Sequence, residues 1–539
     1  MSAPDRPVTN DLTPSGITIS QRQLMLVFAG LMLGMFLAAL DQTIVSTALP
    51  TIVGDLGGLN HLSWVVTSYM LASTVSTPLY GKLGDLYGRK KLFQAAIVIF
   101  LIGSVFSGLS QNMGELIGFR ALQGLGAGGL LVGAQAIIGD VVPPAVRGRY
   151  MGIIGSVFAV ASVIGPLLGG VFTEQLSWRW VFYINLPVGA IALFVVATAL
   201  HTPSHKVGHR IDYAGAAVLS AAASAMVLVL TWGGTQYAWG SGIIIGLSIA
   251  TLVLIAVFIA VERRAAEPII PLRLFNDSIF RVSSAACAIV GFAMFGAITF
   301  LPLFLQTVHL VSPTLSGIEL LPIMAFVLTM SIWSGRRIAK RGRYRMYPIA
   351  GTIILTIGMY GLAEYGIGIT TSYWTTAFFM ALIGAGLGLT MQVLVLAVQN
   401  SVDYRDLGVA TSSATFFRSI GGSLGVAVFG EIFANRLAAH LAAGGAALSR
   451  MGQAAVHLTP DKLKALKHAD PAMFDRFLHA FSPALHVVFL AAVPFAGAGI
   501  VTALLLREVP LRRTTGPGGP AAVTTDDAVS PLESPVAAH

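Results

Sequence analysis

The stretch GKLGDLYGRKK, residues 81–91, is a short basic turn between two long apolar runs, and a second stretch repeats its pattern. Residues 335–343 read GRRIAKRGR, so each turn opens with a glycine and reaches Gly-Arg seven residues later. The two turns lie 254 residues apart throughout, and Ala339 takes the position of Asp85. Each turn follows the second apolar run of a block of six, which predicts two related halves in one chain. Repeated halves around a site at the membrane midplane are typical of secondary transporters.

Composition indicates that these apolar runs cross a membrane. Of the 539 residues, 55% are hydrophobic and only 11% are charged, whereas soluble domains carry about 25% charged residues. A spanning helix needs roughly 20 apolar residues. Backbone polar groups in hydrocarbon must be paired within a segment, which predicts an all-α membrane protein. The fourteen predicted spans are 24–48, 62–80, 92–110, 116–138, 150–172, 180–200, 214–232, 242–261, 283–305, 315–334, 347–367, 374–397, 408–430 and 484–506.

The basic residues set the expected orientation. Lys and Arg concentrate in alternate loops, which predicts that those loops and both termini are cytoplasmic and that the protein lies in the plasma membrane. The formal net charge of +9 therefore reflects topology. Nucleic-acid binding would need a basic soluble domain, and the sequence contains none.

The spans divide the chain into five parts. We expect a cytoplasmic tail, six spans, a linker with two additional spans, six more spans, and a disordered cytoplasmic tail rich in Pro, Gly, Ala and Thr. In order, these parts are 1–23, 24–200, 201–282, 283–506 and 507–539. The second block of six spans includes a long outer insertion, 431–483, in which Pro460 marks a helix start.

Charged residues inside the spans are functional candidates, because each costs roughly 2.5–3.5 kcal/mol at a helix centre. Asp41 and Arg120 lie at similar depths from the outer surface, so they could meet across an internal cavity. Glu319 stands alone in the tenth span, and an unpaired carboxylate among apolar groups suits a proton carrier. Arg418 lies near the middle of the thirteenth span. Two alternatives stay open: Asp41 and Arg120 as a buried structural ion pair, and Glu319 as a wetted vestibule group.

Glycine and proline mark the fourth and fifth spans. Gln123 and four glycines follow Arg120, and the fifth span contains a GPLLGG block at 165–170. Small residues let membrane helices approach closely, and proline removes a helix hydrogen bond. The block therefore predicts a hinge or a tight helix pair. Its defining residues are Gly165, Pro166, Gly169 and Gly170.

In the spans where they fall, several stretches resemble motifs of the major facilitator superfamily, specifically of its fourteen-span drug:proton antiporters of the EmrB/QacA type. The resemblance covers roughly 24–506 and implies that superfamily's fold, in a 6 + 2 + 6 arrangement with pseudo-symmetric halves. Ala161 replaces a glycine that is usual in the fifth-span motif. The stretches are 40–50 (LDQTIVSTALP), 81–91, 120–127 (RALQGLGA), 161–170 (ASVIGPLLGG), 177–187 (SWRWVFYINLP) and 417–425 (FRSIGGSLG).

The resemblance implies roles for the matching residues. Asp85 would hold an inner gate shut by facing the positive amino end of the thirteenth span, with Arg89 paired nearby. Arg120 would couple proton movement to substrate, and Asp41 would face the cavity. The fifth-span block would shape that helix for export, whereas Glu319 belongs to none of these motifs. The implied gating loop comprises Gly81, Asp85, Gly88 and Arg89.

The expected function is transport rather than catalysis. No Gly-x4-Gly-Lys-Ser/Thr phosphate loop occurs, so we expect no ATP and no cofactor, with the proton motive force as the energy source. The hypothesis is a proton-coupled antiporter that exports amphipathic, often cationic drugs by alternating access. Drug and proton would compete for the cavity carboxylates. The expected partners are the small-molecule substrate, protons and membrane lipid, and the expected oligomeric state is a monomer.

Two other classes of function stay open. The same scaffold could export a specific lipid, a siderophore or an endogenous antibiotic. A membrane enzyme or sensor would need clustered catalytic or ligand side chains, whereas the histidines are scattered. Only His201, His205 and His209 share a short loop, where we expect solvated linker residues and no metal. The substrate and the carboxylate that carries the proton stay open at this stage.

Overall fold

The computed structural model describes residues 21–56, 62–200, 212–234, 236–443 and 460–512, and within them the chain is helical and contains no β-strand. This confirms the predicted all-α fold. Short turns at Leu272–Asn276, Leu362–Gly366 and Tyr404–Asp406 join or extend helices. The helices are α1 (Gln21–Leu56), α2 (Leu62–Tyr87), α3 (Arg89–Leu109), α4 (Met113–Val141), α5 (Pro144–Gln175), α6 (Trp180–Tyr183), α7 (Asn185–Ala199), α8 (Tyr213–Trp232), α9 (Gly242–Glu262), α10 (Ser278–Val308), α11 (Pro313–Glu319), α12 (Leu321–Arg341), α13 (Met346–Gly361), α14 (Tyr373–Ser401), α15 (Leu407–Ala443), α16 (Pro460–Ala469) and α17 (Pro471–Leu505).

Thirteen stretches of the described residues are long and apolar enough to cross a membrane. The remaining long helix, α2, has 26 residues but is more polar. Its hydroxyl groups face the bundle instead of lipid: the Ser76 hydroxyl, for example, donates to the carbonyl of Leu125 in α4 at 3.2 Å. With α2 as the fourteenth helix of spanning length, the arrangement agrees with the prediction. The buried hydroxyl residues of α2 are Thr67, Ser68, Thr74, Ser76 and Thr77.

The two halves are packed alike. In each half, two glycines one helical turn apart lie against backbone carbonyls of a neighbouring helix, where a Cβ atom would overlap the backbone. Each glycine of the second half lies 260 positions after its equivalent in the first half. Each residue that supplies a carbonyl lies 254 positions after its equivalent, and 254 is also the offset between the two basic turns. The internal repeat therefore extends from the turns into the helix contacts. These contacts are Gly124–Tyr69, Gly128–Ser73, Gly384–Ile323 and Gly388–Val327.

The basic turns, 81–91 and 335–345, lie at one end of the bundle, which we call the basic face. Gly88 and Gly342 occupy equivalent positions in these turns and have φ angles of +96° and +72°. Such left-handed backbone is open to glycine without a steric penalty. The Gly-Arg repeat thus reflects the same chain reversal in both halves.

The two additional helices, α8 and α9, pair with each other and lie over the seam where α2 meets α15. Leu219 of α8 and Phe258 of α9 share an apolar cluster with Phe416 of α15, and side chains of α2 pack against this cluster. The hairpin therefore contacts both halves. Its position explains how a linker can be strongly apolar without belonging to either repeat.

The outer insertion continues the helices of the second half. α15 runs on to Ala443, and α16 begins at Pro460, as the sequence predicted. Apolar side chains of this region join the core of the second half. Over its described residues the insertion is thus a packed helical extension and not a solvated loop. Its buried side chains include Leu437, Leu441, Leu463, Phe474 and Phe477, each at most 6% exposed.

The chain after α17 is ordered for longer than predicted. Residues 506–512 run along the basic face, where the Asn400 side chain donates to the Pro510 carbonyl at 3.2 Å and accepts from the Arg512 amide at 3.1 Å. The expectation of disorder from residue 507 is therefore wrong for 507–512, since one buried amide side chain pairs with the backbone of this segment. Residues 513–539, most of the predicted tail 1–23, and the histidine loop 201–211 lie outside the described residues.

A Gly124→Ala variant should lower thermal stability, because overpacking a tight contact costs about 1–3 kcal/mol. Gly118, on the same helix, has open space around its Cα, so Gly118→Ala is the matched control and should leave stability unchanged or slightly raised. The measurement is the Tm of each purified variant in detergent. Equal Tm values for the two variants would contradict the proposed packing.

Candidate functional site

A buried polar cluster joins α1, α4 and α7 in the first half. Arg120 Nη1 donates to Asp41 Oδ2 at 2.5 Å and to Gln123 Oε1 at 2.8 Å. Gln123 Nε2 donates to Asp41 Oδ1 at 2.8 Å, and Asn185 Nδ2 reaches the same oxygen at 3.3 Å. Both carboxylate oxygens are therefore occupied. We call these four residues, Asp41, Arg120, Gln123 and Asn185, the carboxylate cluster.

The carboxylate cluster is sealed in this conformation. Asp41, Gln123 and Asn185 are 0% exposed and Arg120 is 2% exposed. The Arg120 guanidinium also lies over the Tyr69 ring, 4.2 Å from its centroid. The expectation that Asp41 and Arg120 face each other across an internal cavity is thus wrong here: the long arginine side chain and two amides fill the gap. In this conformation the geometry is that of a buried ion pair in which both carboxylate oxygens are hydrogen-bonded.

The GPLLGG block forms a tight pair between α5 and α1. A Cβ at Gly165 would overlap Thr43, and one at Gly169 would lie 3.0 Å from the Ile44 carbonyl. Thr43 Oγ1 donates to the Ala161 carbonyl at 3.0 Å. Of the two sequence alternatives, the structure shows the tight helix pair, and it lies within three residues of Asp41.

The other two defining residues of the block, Pro166 and Gly170, form different contacts. Pro166 lies next to Gly317 of α11, where an added Cβ would be 3.4 Å from the proline Cγ. The Gly170 carbonyl accepts from Thr173 Oγ1 at 3.0 Å within α5. One helix, α5, therefore contacts the first half through its glycines and the second half through its proline.

On the basic face, Asp85 caps the start of α15. Its two carboxylate oxygens accept from the Gly408 amide at 3.1 Å and the Val409 amide at 2.9 Å. The first amides of a helix lack partners within the helix and carry partial positive charge, so a carboxylate is well suited to bind them. Arg89 Nη2 donates to Asp85 at 2.5 Å and also pairs with Asp140 of α4. Asp85 thus lies where the resemblance implied.

Small residues let the halves meet on this face. A Cβ at Gly81 would overlap Ser412 and the Gly408 carbonyl of α15. In the second half the equivalent Gly335 lies against Gly148 of α5, again with no room for a side chain. The glycines of the two basic turns therefore allow close contact at two seams between the halves.

Sequence reasoning missed a second set of residues that bridges the halves on the basic face. Arg147 Nη1 donates to Gln399 Oε1 at 2.9 Å, while its Nε donates to the Val142 carbonyl at 3.0 Å. Gln399 Nε2 donates in turn to the Gln135 carbonyl at 3.3 Å. Arg147 is 1% exposed. These residues lie outside the quoted motifs, so only the fold reveals that they meet.

The remaining predicted residues do not join the carboxylate cluster. Glu319 is the last residue of α11, partly exposed, and Tyr373 Oη donates to its backbone carbonyl at 3.1 Å. Within the described part of the chain, its Oε2 has no hydrogen-bond partner. Arg418 lies on α15 in the second half. The described residues also hold no group of three or more metal-binding side chains.

Taken together, the site consists of a sealed polar cluster in the first half and a set of close contacts between the halves on the basic face. The chain belongs to the Major Facilitator Superfamily, whose profile matches residues 31–426. It is a multi-pass membrane transporter and not an enzyme.

Comparison with known proteins agrees with this membership. An uncharacterised MFS-type transporter of Mycobacterium tuberculosis is 42% identical over 518 residues, which cover 95% of this chain and 74% of the relative. The multidrug transporter protein MdtP of Bacillus subtilis is 37% identical over 91% of this chain and 94% of its own length. A solved proton:xylose symporter superimposes with a TM-score of 0.61 at 14% identity, covering 92% of this chain and 98% of the symporter, which supports the fold.

An Asp85→Asn variant should loosen the basic face, because the amide can accept only one of the two α15 amide bonds and loses the charge. Removing such a bond costs about 1–3 kcal/mol. The reporter is a Ser412→Cys substitution in a Cys287→Ser background, since Ser412 is buried against Gly81 and Cys287 is the single cysteine. We expect alkylation of the reporter to accelerate roughly tenfold. Asp403→Asn, at an exposed carboxylate of the same face, is the control and should leave the rate unchanged.

An Asp41→Asn variant should lower Tm, because removing one partner of a buried ion pair typically costs about 3–5 kcal/mol. The double variant Asp41→Asn/Arg120→Gln removes both charges and should recover part of the loss. Both measurements use purified protein in detergent. If the double variant is less stable than the sum of the two single variants predicts, the pair is not the direct contact described here.

Proposed function

We propose that the protein is a proton-coupled exporter of amphipathic compounds, of the fourteen-span drug:proton antiporter type, in the plasma membrane. The observation that carries this proposal is the carboxylate cluster, in which Arg120 holds the carboxylate of Asp41 and both side chains are at most 2% exposed. An ionisable pair this deep in a membrane bundle is costly to keep for packing alone. The multidrug transporter named above supports drug-like compounds as the transported substances.

Asp41 is the candidate proton carrier. A proton that binds a carboxylate oxygen of Asp41 removes the negative charge facing Arg120 and at least one hydrogen-bond acceptor. The arginine then loses its counter-ion, so the cluster must rearrange or draw in another anion. Protonation and the geometry of α1 and α4 are therefore linked by simple electrostatics.

The α1–α5 pair can transmit that rearrangement. Thr43 lies two residues after Asp41 and bonds to Ala161 of α5, while α5 contacts the second half at Gly148, opposite Gly335. A shift of α1 therefore reaches the seam between the halves through one helix. Tight glycine contacts favour sliding as a unit, because they leave no side chain to absorb the motion.

The gate gives the proposed cycle its two states. With the basic face in the cytoplasm, as the distribution of Lys and Arg predicts, the structure is closed to the cytoplasm by Asp85, Arg147 and Gln399. Uptake of substrate from the cytoplasm requires these contacts to open. The closed state then releases the substrate to the outside, where a proton binds. The protonated protein favours reopening to the cytoplasm, and the proton leaves there. One charge moving through about 100 mV releases roughly 2.3 kcal/mol, enough for about a fifty-fold concentration ratio of a neutral substrate.

In proteoliposomes with an acidic lumen, ethidium uptake should depend on the imposed pH gradient and collapse when nigericin dissipates it. Asp41→Asn should reduce gradient-driven uptake at least tenfold. The control is Glu364→Gln, since Glu364 is another carboxylate of the bundle but lies beside His486 at 3.4 Å, partly exposed. It should transport normally. Uptake that is indifferent to the gradient, or full activity of Asp41→Asn, would overturn the proposal.

A further inference from the structure

Arg418 is a cation inside the bundle for which the described residues offer no partner. Within the described part of the chain, its side chain forms no hydrogen bond, ion pair or ring contact. Its one electrostatic neighbour there is the Cys287 thiol of α10. Arg120 and Arg147, which are 2% and 1% exposed, are each held by several acceptors. Arg418 is thus an unused donor group, with five N–H bonds available to a ligand.

The face of α15 that carries Arg418 points between the two halves. Thr411 and Thr415 precede it by seven and three residues and so share its face. Thr415 Oγ1 lies 3.5 Å from Gln135 Oε1 of α4, in the opposite half. Phe416, on the other side of the helix, packs in the cluster with α8. The helix around Arg418 is therefore enclosed by protein on these two sides, by the first half at Thr415 and by α8 at Phe416.

Depth places this side chain at the height of a central binding site. Arg418 lies ten residues beyond Gly408, which corresponds to about 15 Å above the closed gate and to the middle of a hydrocarbon core of roughly 30 Å. It lies deep within the bundle yet keeps part of its surface accessible. A fully buried side chain could not meet a ligand, and a lipid-facing one would not be surrounded by protein.

Helix packing fixes the position of this residue. A Cβ at Gly291 of α10 would overlap the Arg418 carbonyl, and one at Gly421 would overlap the Ala288 carbonyl. The backbone on both sides of Arg418 is thus pressed against α10. One turn further, Phe295 of α10 lies against Gly422. The backbone that carries Arg418 is thus fixed, and an aromatic ring packs against α15 one turn further along. A cation and an aromatic ring on neighbouring turns suit a ligand with one charged and one apolar part.

The carboxylate cluster cannot neutralise Arg418. Asp41 is 0% exposed and both of its oxygens are occupied. Glu319 belongs to the short helix α11, and its Oε2 lacks a hydrogen-bond partner within the described residues. In the conformation described, the accessible charge in the middle of the second half is therefore positive.

We propose that Arg418 binds the carboxylate of an amphipathic organic acid, which makes such anions a substrate class of the transporter. This inference rests on the proposed export function and names a substrate class for it. A guanidinium can hold a carboxylate through two parallel N–H···O bonds, a geometry that lysine cannot reproduce. The apolar body of the substrate then lies near Phe295. Binding of the anion supplies the counter-ion that the protein itself does not.

The test compares three fluorescent probes on purified protein: 1-pyrenebutyrate, its uncharged amide 1-pyrenebutyramide, and the cation ethidium. Arg418→Gln should weaken 1-pyrenebutyrate binding at least tenfold while changing the affinity for the amide and for ethidium less than twofold. Arg418→Lys should recover only part of the loss. Arg436→Gln, which removes a charge from an exposed position on the same helix, is the matched control and should bind all three probes normally.

Each other outcome has a distinct meaning. If wild-type protein does not prefer 1-pyrenebutyrate over its amide, or if Arg418→Gln weakens all three probes equally, the anion site is wrong and Arg418 acts through structure. Gradient-driven ethidium uptake by Arg418→Gln proteoliposomes is measured alongside. If that uptake persists while the anion preference is absent, the export proposal stands without the anion site. If wild-type uptake ignores the gradient, the export proposal itself fails.

Discussion

Two backbone amides at the start of α15, those of Gly408 and Val409, are bound by a carboxylate from the other half of the protein, and the closed basic face depends on this contact. A helix start that is shielded from water needs acceptors for its free N–H groups. Asp85 supplies them together with a negative charge that matches the helix dipole. The approach is close because Gly81 and Gly408 carry no side chains.

The equivalent position in the second half cannot form this contact, because Ala339 has no carboxylate. There the start of α5 begins with a proline, which needs no acceptor, and Arg147 reaches across to Gln399 instead. The gate is therefore symmetric in its glycines and asymmetric in its polar bonds.

The interior of the bundle shows the same asymmetry. Gly124 and Gly384 are equivalent and lie 260 positions apart. The same offset places the buried apolar residues Met380 and Ile383 where the first half has Arg120 and Gln123. The proton site proposed in the first half and the anion site proposed at Arg418 in the second are thus assigned to different side chains. Direct competition between drug and proton for the same carboxylate, as expected from sequence, does not fit a sealed Asp41, so coupling through the α1–α5 pair is the better account.

The sequence predicted the depth of a residue in the membrane well, but it predicted poorly which side of a helix faces which neighbour. Counting residues placed Asp41 and Arg120 at similar depth, and the structure brings them into direct contact. Depth alone could not show that Asn185 would fill the remaining space, because that depends on how α7 is rotated. Similarly, the motif around Asp85 indicated its partner at α15, whereas Arg147 and Gln399 lie more than 250 positions apart and follow no pattern. The ordered segment 506–512 was missed for a related reason: it is held by side chains of distant residues, Asn400 and Tyr344.

The two additional helices cover one of the seams between the halves. α8 and α9 cover the seam between α2 and α15 with apolar contacts to both halves. The linker after α9 adds ion pairs to both, Lys82–Glu267 at 3.8 Å and Arg273–Asp406 at 2.7 Å. The Arg273 side chain is 61% exposed, and exposed pairs of this kind contribute at most about 1 kcal/mol. The hairpin therefore keeps lipid out of the seam without locking it, since apolar surfaces can slide where buried charges cannot. The buried contacts beneath the α8–α9 hairpin hold the halves together. The proposed gate could therefore open while the hairpin still covers the seam.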